Sequence, residues 1–128
     1  MNTQFKKGIV ELCVLSLLVE EDMYGYNIIS KLSTYIDVSE NTIYPILRRL
    51  TKDHYCRTYL VESNAGAPRK YYALTEEGFA HFMGMRQEWD TFIGGVYEII
   101  HKGGIKNEAI FERFKKRIKE EKTQRSSD

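Results

Sequence analysis

Cysteine is scarce. Cys13 and Cys56 are the only two in 128 residues, and they lack CxxC spacing and are too few for a disulfide framework. Cys13 lies within an apolar run and reads as a small core residue. Long hydrophobic runs are missing too: none reaches the roughly 20 residues that a membrane span needs. The stretch Ile9–Val19 behind Lys6 and Lys7 has the outline of a secretory leader. Glu11 interrupts it, however, the acidic Glu20-Glu21-Asp22 follows, and no small-residue cleavage site is present. The expectation is a soluble cytoplasmic protein. His54, His81 and His101 have no ligand spacing, so no metal is assigned, and no cofactor is implied. Nowhere do an acid, a base and a nucleophile converge, which argues against an enzyme.

A charge of one sign is lacking only in the total. The formal net charge is +1, yet residues 1–70 carry 9 basic and 8 acidic side chains, residues 71–104 carry 2 and 5, and residues 105–128 carry 8 and 5. The aromatics are also uneven. Eight of nine tyrosines precede residue 73, whereas five of six phenylalanines follow residue 78. Tyrosine suits half-wet surfaces and phenylalanine dry ones, so two working surfaces are expected. With 42% apolar residues, the chain can fill one packed core but not two full-sized domains.

The run Ile9–Val19 is apolar on most sides and reads as a buried helix. After Gly25, the spacing of Tyr26, Ile28, Ile29, Leu32, Tyr35 and Ile36 predicts an amphipathic second helix. Ser39 is placed to cap a third, with Glu40 in its first turn. Ile43, Ile46, Leu47 and Leu50 form its core face; Asn41, Thr42, Tyr44, Pro45, Arg48, Arg49 and Lys52 lie opposite. Pro45 lacks the amide proton of a helix interior, so either the helix begins near it or the first turn is loosened. Tyr44 either faces outward or packs against the second helix. Arg57–Ser63 and Arg69–Leu74 then read as a β-hairpin around the turn residues 64–68, with a mobile tip. Tyr71 and Tyr72 alternate across a strand, so one is core and one exposed.

Thr75 caps a long fourth helix, along which Phe79, Phe82, Arg86, Trp89, Ile93, Val96 and Ile100 recur at spacings of three and four, like a coiled-coil seam. Such a helix spans about 35 Å, more than the preceding small domain can cover, so the seam is expected to bury against a second copy of the chain. Gly103-Gly104 closes it, and Asn107 caps a short basic helix with Ile110, Phe114 and Ile118 in one stripe. Residues 122–128 are expected to be disordered. This divides the chain at 1–75, 76–102 and 103–128.

Three helices and a hairpin, the third helix polar and cationic on its free face, is the order of a winged helix-turn-helix, a mainly α fold with a β-hairpin wing (α+β). Residues 39–70 hold six basic side chains against three acidic, an excess hidden in the total. A wing-and-helix adaptor for protein, and a ligand-sequestering dimer around Trp89, are the alternatives.

Three ordered motifs carry a family resemblance: Leu12–Leu18 with Tyr24-Gly25-Tyr26, the segment Ser39–Leu50 (SENTIYPILRRL), and Gly66–Gly78 (GAPRKYYALTEEG). From about residue 8 to residue 100 the chain resembles the PadR transcriptional regulators. The resemblance implies a homodimeric repressor whose long helix dimerises and whose partner is double-stranded promoter DNA. It places Ser39, Asn41, Thr42, Tyr44, Pro45 and Arg48 on the recognition helix, Arg69 and Lys70 at the base of the wing, and Tyr24 against a phosphate. Trp89 resembles the tryptophan lining a drug-binding pore in the multidrug-responsive subgroup, which implies a small aromatic effector. Trp89 is otherwise a dimer-core residue, and Arg86 either caps such a ligand or snorkels to water.

Overall fold

The computed structural model describes residues 3–101 and 105–127. Its elements are α1 (Thr3–Glu20), β1 (Met23–Tyr24), α2 (Gly25–Ser33), α3 (Glu40–Lys52), β2 (Cys56–Ser63), β3 (Gly66–Leu74), α4 (Glu76–His101) and α5 (Ile105–Ser127). Two compact units divide between Gln87 and Glu88.

In the first unit, α1 is the spine. It packs on α2, α3 and β3 and buries Val10, Val14, Leu15 and Leu18, the inner positions of the long apolar run. Ile28, Ile29 and Leu32 of α2 and Ile43, Ile46, Leu47 and Leu50 of α3 complete the centre, so the three- and four-residue spacings do mark the core faces. Helix α2 stops at Ser33, short of the expected Ile36. Tyr35 beyond it is 81% exposed, so it does not extend the apolar face.

Helix α3 begins at Glu40 with Ser39 in the N-cap position, which settles the place of Pro45: it lies inside the helix. The amide protons of Thr42 and Ile43 both donate to the Ser39 carbonyl, at 3.0 and 3.1 Å. The hydroxyl of Ser39 makes no capping bond. At the other end, Tyr55 N–H donates to Leu50 O (2.9 Å) and His54 N–H to Thr51 O (3.1 Å), the two bonds of a Schellman motif. His54 therefore occupies a left-handed position with φ 64°, where a Cβ is strained. His54→Gly is expected to stabilise the fold by about 1 kcal/mol, the strain released exceeding the entropy that glycine adds to the unfolded chain. A urea midpoint below the unsubstituted protein's would refute this.

The hairpin is part of a three-stranded antiparallel sheet of order β1-β3-β2. Met23 pairs with Tyr72 and Tyr24 with Tyr71, a two-residue strand too short to carry any periodicity in the sequence. On the other edge Thr58 pairs with Tyr72 and Tyr59 with Tyr71. Tyr72 is the buried member of the tyrosine pair, at 6% exposure. The ladder shifts between Val61 and Ser63, where β3 supplies the extra residue beside Pro68, which has no amide proton to donate. Only Asn64 and Ala65 separate the strands, fewer than the five turn residues expected.

Thr75 joins the hairpin to α4. Its hydroxyl donates to His54 O (2.7 Å) and accepts from Gly78 N–H (3.0 Å), a working N-cap. Phe82 of α4 is 5% exposed and belongs to the first unit's core. It is therefore not a seam residue as expected, since core and seam positions share the same spacing. Phe79 beside it is 46% exposed.

In the second unit, Trp89, Ile93 and Val96 are half-buried, and Phe92, Tyr97, Ile99 and Ile100 are exposed. The closing pair Gly103-Gly104 lies outside the described residues. Helix α5 is 23 residues long and continues to Ser127, so it is neither short nor disordered over 122–127, and Asn107 falls inside it rather than capping it. Ion pairs at i+3 and i+4, Glu112 with Lys115 and Glu121 with Arg117, run along it.

Candidate nucleic-acid interface

The core face of α3 dictates what its opposite face can be. With Ile43, Ile46, Leu47 and Leu50 fully inside, the 3.6-residue period turns Asn41, Pro45 and Arg48 outward, and all three are exposed. Ser39 is exposed at the helix entry and Thr42 is half-buried. Arg49, also on the outward side, is committed elsewhere: its Nη2 donates to Glu11 Oε1 at 2.7 Å, tying α3 to α1. Glu11 is thus the structural use of the one charge in the apolar run. Its other oxygen stands 3.7 Å from His81 Nε2, and the His81 ring stacks on Tyr55 with centroids 4.2 Å apart.

Tyr44 takes the inner of its two expected positions. Its ring lies against Gly25 at the start of α2, where an added Cβ would stand 3.3 Å from Tyr44 Cε1 and 3.5 Å from the Tyr72 ring. Glycine is what lets the two helices and the sheet come this close. Burial, and then the charges of Glu40 and Tyr24, raise the Tyr44 pKa above that of an ordinary tyrosine. Tyr72 is likewise raised by burial and by Tyr44, against the lowering effect of Arg48. Tyr44, Tyr72 and Arg48 therefore form one cluster, in which Arg48 is the exposed member.

On the wing, Arg69 and Lys70 are both exposed but occupy opposite faces of β3, because strand side chains alternate. Lys70 shares the face of Tyr72, the side of Tyr44 and Arg48. Arg69 shares the face of Tyr71, and its guanidinium lies over the Tyr24 ring, 5.2 Å from the centroid. Tyr24 itself is half-buried, extended at the N-cap of α2, and makes no side-chain capping bond. Sequence reasoning did not single out Arg57, Tyr59 or Asp22. The Tyr59 hydroxyl donates to Asp22 Oδ2 at 2.7 Å, which together with burial raises the Tyr59 pKa. Their meeting depends on strand pairing, which no local pattern encodes.

Arg86 is exposed and Trp89 half-buried. Among the described residues no group of three or more His, Cys, Asp or Glu could hold a metal ion, and no helix is long and apolar enough to cross a membrane. Both thiols are shielded: burial raises Cys13 and pushes Cys56 up to about 11.

A helix packed on one side and polar and cationic on the other, followed by a β-hairpin wing that β1 extends to a three-stranded sheet, defines a winged helix-turn-helix DNA-binding protein. Residues 14–84 match the model of the transcriptional regulator PadR-like family, and the chain belongs to that family. Among solved structures it is similar to a PadR-like transcription factor from Bacteroides fragilis, with 38% identity, 76% of this chain and 95% of that one covered, and a TM-score of 0.66. A PadR-like transcriptional regulator from Bacillus cereus is similar at 33% identity, with coverages of 77% and 97% and a TM-score of 0.69. An uncharacterised protein of Lysinibacillus sphaericus is 31% identical over 87 residues, which is 65% of this chain and 80% of that one. As a member of a family of transcriptional regulators, the protein is not an enzyme. Helix α5 lies beyond the residues the family model matches.

Proposed function

We propose that the chain is a cytoplasmic homodimeric repressor that occupies a pseudo-palindromic promoter site and leaves it when a small aromatic molecule binds at the dimer interface around Trp89. The observation that carries the reading is the outward face of α3. Ser39, Asn41, Thr42 and Arg48 offer short donors, acceptors and one cation to base edges in the major groove, with Pro45 exposed among them. Lys70 lies on the wing face that carries Tyr72, with Arg69 and Tyr24 on the opposite face. These exposed or half-exposed residues of the wing and the start of α2 are assigned to phosphate contacts, with Tyr44 packed inward behind the α3 face, against Gly25.

The second copy is supported by the apolar surface of α4 beyond Gln87. Trp89, Ile93 and Val96 are only half-buried and Ile100 is 56% exposed within one chain. Residues 1–75 then serve as the DNA-binding domain, 76–102 as the dimerisation helix and 103–128 as a basic extension. Two recognition helices must lie about 34–36 Å apart to enter successive major grooves. A flat ligand stacked on Trp89, with Arg86 nearby in the sequence, would release DNA only through its differential affinity for the two helix arrangements.

The test is fluorescence anisotropy with duplex DNA from upstream of the protein's own gene. Arg48→Ala is expected to weaken binding by about 10- to 100-fold, the range of a lost charge-assisted base or phosphate contact. Flat cationic or phenolic compounds are expected to quench Trp89 and free the DNA in the same titration. Equal affinity of Arg48→Ala and the unsubstituted protein would remove α3 from the interface. Quenching without release would leave a ligand-sequestering dimer.

A further inference from the structure

Beyond Gln87, helix α4 carries more apolar surface than one neighbouring helix covers. Trp89, Ile93 and Val96 form the half-buried seam, and beside it runs a second row, Glu88, Phe92, Gly95 and Ile99, at spacings of four, three and four. Residues so spaced share one side of a helix. Within the chain Phe92 is 56% and Ile99 81% exposed. Gly95 makes a hollow between them: a Cβ added there meets nothing within 4 Å, although glycine is a poorer helix former than alanine. A seam of two positions per heptad suits one partner helix, whereas a band this wide is the pattern of a helix inside a bundle.

Helix α5 has the matching surface. Ile110, Phe111 and Phe114 are 48, 57 and 52% exposed, and the half-buried Ile118 continues their stripe. The Arg117 guanidinium lies 4.9 Å from the Phe114 centroid. Arg113 and Arg117 form the cationic side of a groove of about 310 Å³ whose apolar side is Ile110 and Phe114. The two helices are opposite in charge. Residues 88–101 hold Glu88, Asp90 and Glu98 and no lysine or arginine, while residues 108–127 hold seven basic side chains against four acidic. An acidic row repels its own copy and attracts a basic helix. Among the described residues of one chain both surfaces stay open, so the helix that covers each comes from another molecule.

We propose that α5 of each chain docks on the Glu88–Ile99 row of α4 in a second copy, with Phe114 in the hollow at Gly95 and Arg113 and Arg117 turned to the acids of that helix. The contact occurs twice about a two-fold axis, which makes the dimer a four-helix bundle rather than a single seam. The proposal rests on the dimer reading above and gives a role to the helix outside the family span. It also selects the partner, because a related chain without a basic helix there would leave the acidic row uncovered.

Sedimentation of the full chain over a dilution series reads the dimer dissociation constant. Phe114→Ala is expected to raise it about 30-fold or more, the loss of a central aromatic anchor, with the helical circular dichroism retained. Gly95→Ala is expected to raise it several-fold, because the added methyl group fills the hollow even though alanine is the better helix former. If Phe114→Ala loses its helical signal, Gly95→Ala decides. Gly95→Cys and Phe114→Cys chains carrying tags of different length, refolded together and oxidised, are expected to give a disulfide-linked pair with one of each. A chain carrying both substitutions that links to itself would seat α5 on its own α4 and overturn the proposal. Unchanged dissociation constants in Phe114→Ala and Gly95→Ala would overturn it and leave the α4 seam standing. An unsubstituted chain that stays monomeric at every concentration would take the dimer reading with it.

Discussion

Gly78→Ala is expected to destabilise the protein by about 3 kcal/mol or more, beyond the upper end of the usual overpacking range and a large part of the 5–15 kcal/mol that holds a typical domain together. Elsewhere in a helix the same change stabilises by about 1 kcal/mol, because alanine has the higher helix propensity. The sign reverses here for a steric reason. A Cβ on Gly78 would stand 2.0 Å from the carbonyl oxygen of Tyr55 and 2.7 Å from Leu74 Cδ1. Leu74 Cδ1 is the end of a flexible side chain and can swing away, but the Tyr55 carbonyl cannot. Its oxygen accepts from Thr75 N–H at 3.1 Å, its own residue's N–H closes the Schellman motif of α3, and Cys56 beyond it is paired in the sheet. Moving that peptide disturbs the end of α3, the start of β2 and the cap of α4 together. Urea unfolding followed by circular dichroism measures the loss. Gly84→Ala is the control, since nothing lies within 4 Å of a Cβ added there, and it is expected to raise the midpoint slightly. Matching midpoints for the two variants would refute the close packing at Gly78.

What the sequence could reveal of this structure follows from which interactions are local. The core face of α3 was legible because four apolar residues at helical spacing have one geometric solution. Ser39 and Thr75 were legible as helix starts because capping uses residues within one turn. Tertiary facts left no such trace. The role of Gly78 depends on Tyr55, which only the return of the hairpin brings near it. The inward position of Tyr44 depends on Gly25 of another helix. The strand at Met23–Tyr24 exists because β3 has an edge to offer it, and two residues cannot display a period of two. The tyrosines of the sheet are the clearest case: Tyr24, Tyr59 and Tyr71 are separated along the chain and become neighbours through register alone. The uneven distribution of tyrosine was visible as composition, while its arrangement was not.

Phe82 shows how one spacing can serve two purposes, and it supports an equally large expected effect. Its place among the three- and four-residue spacings of α4 is equally compatible with a seam between two chains and with a core inside one. At 5% exposure it is filled in by its own chain, in the cluster that includes residues of α1, α2 and α3. Phe82→Ala therefore removes a buried aromatic ring and leaves a cavity, expected to destabilise by about 3–5 kcal/mol. Because the ring is buried within one protomer, the loss should be the same at every protein concentration. Ile93→Ala provides the contrast. Ile93 lies beyond Gln87 and is half-buried within the chain, so on the dimer reading its truncation weakens association, and the drop in midpoint grows as the protein is diluted. Thermal unfolding of both variants across a wide range of protein concentration separates the two behaviours. A loss for Phe82→Ala that disappears at high concentration would return Phe82 to the seam and move the boundary between the core and the dimer interface back along α4.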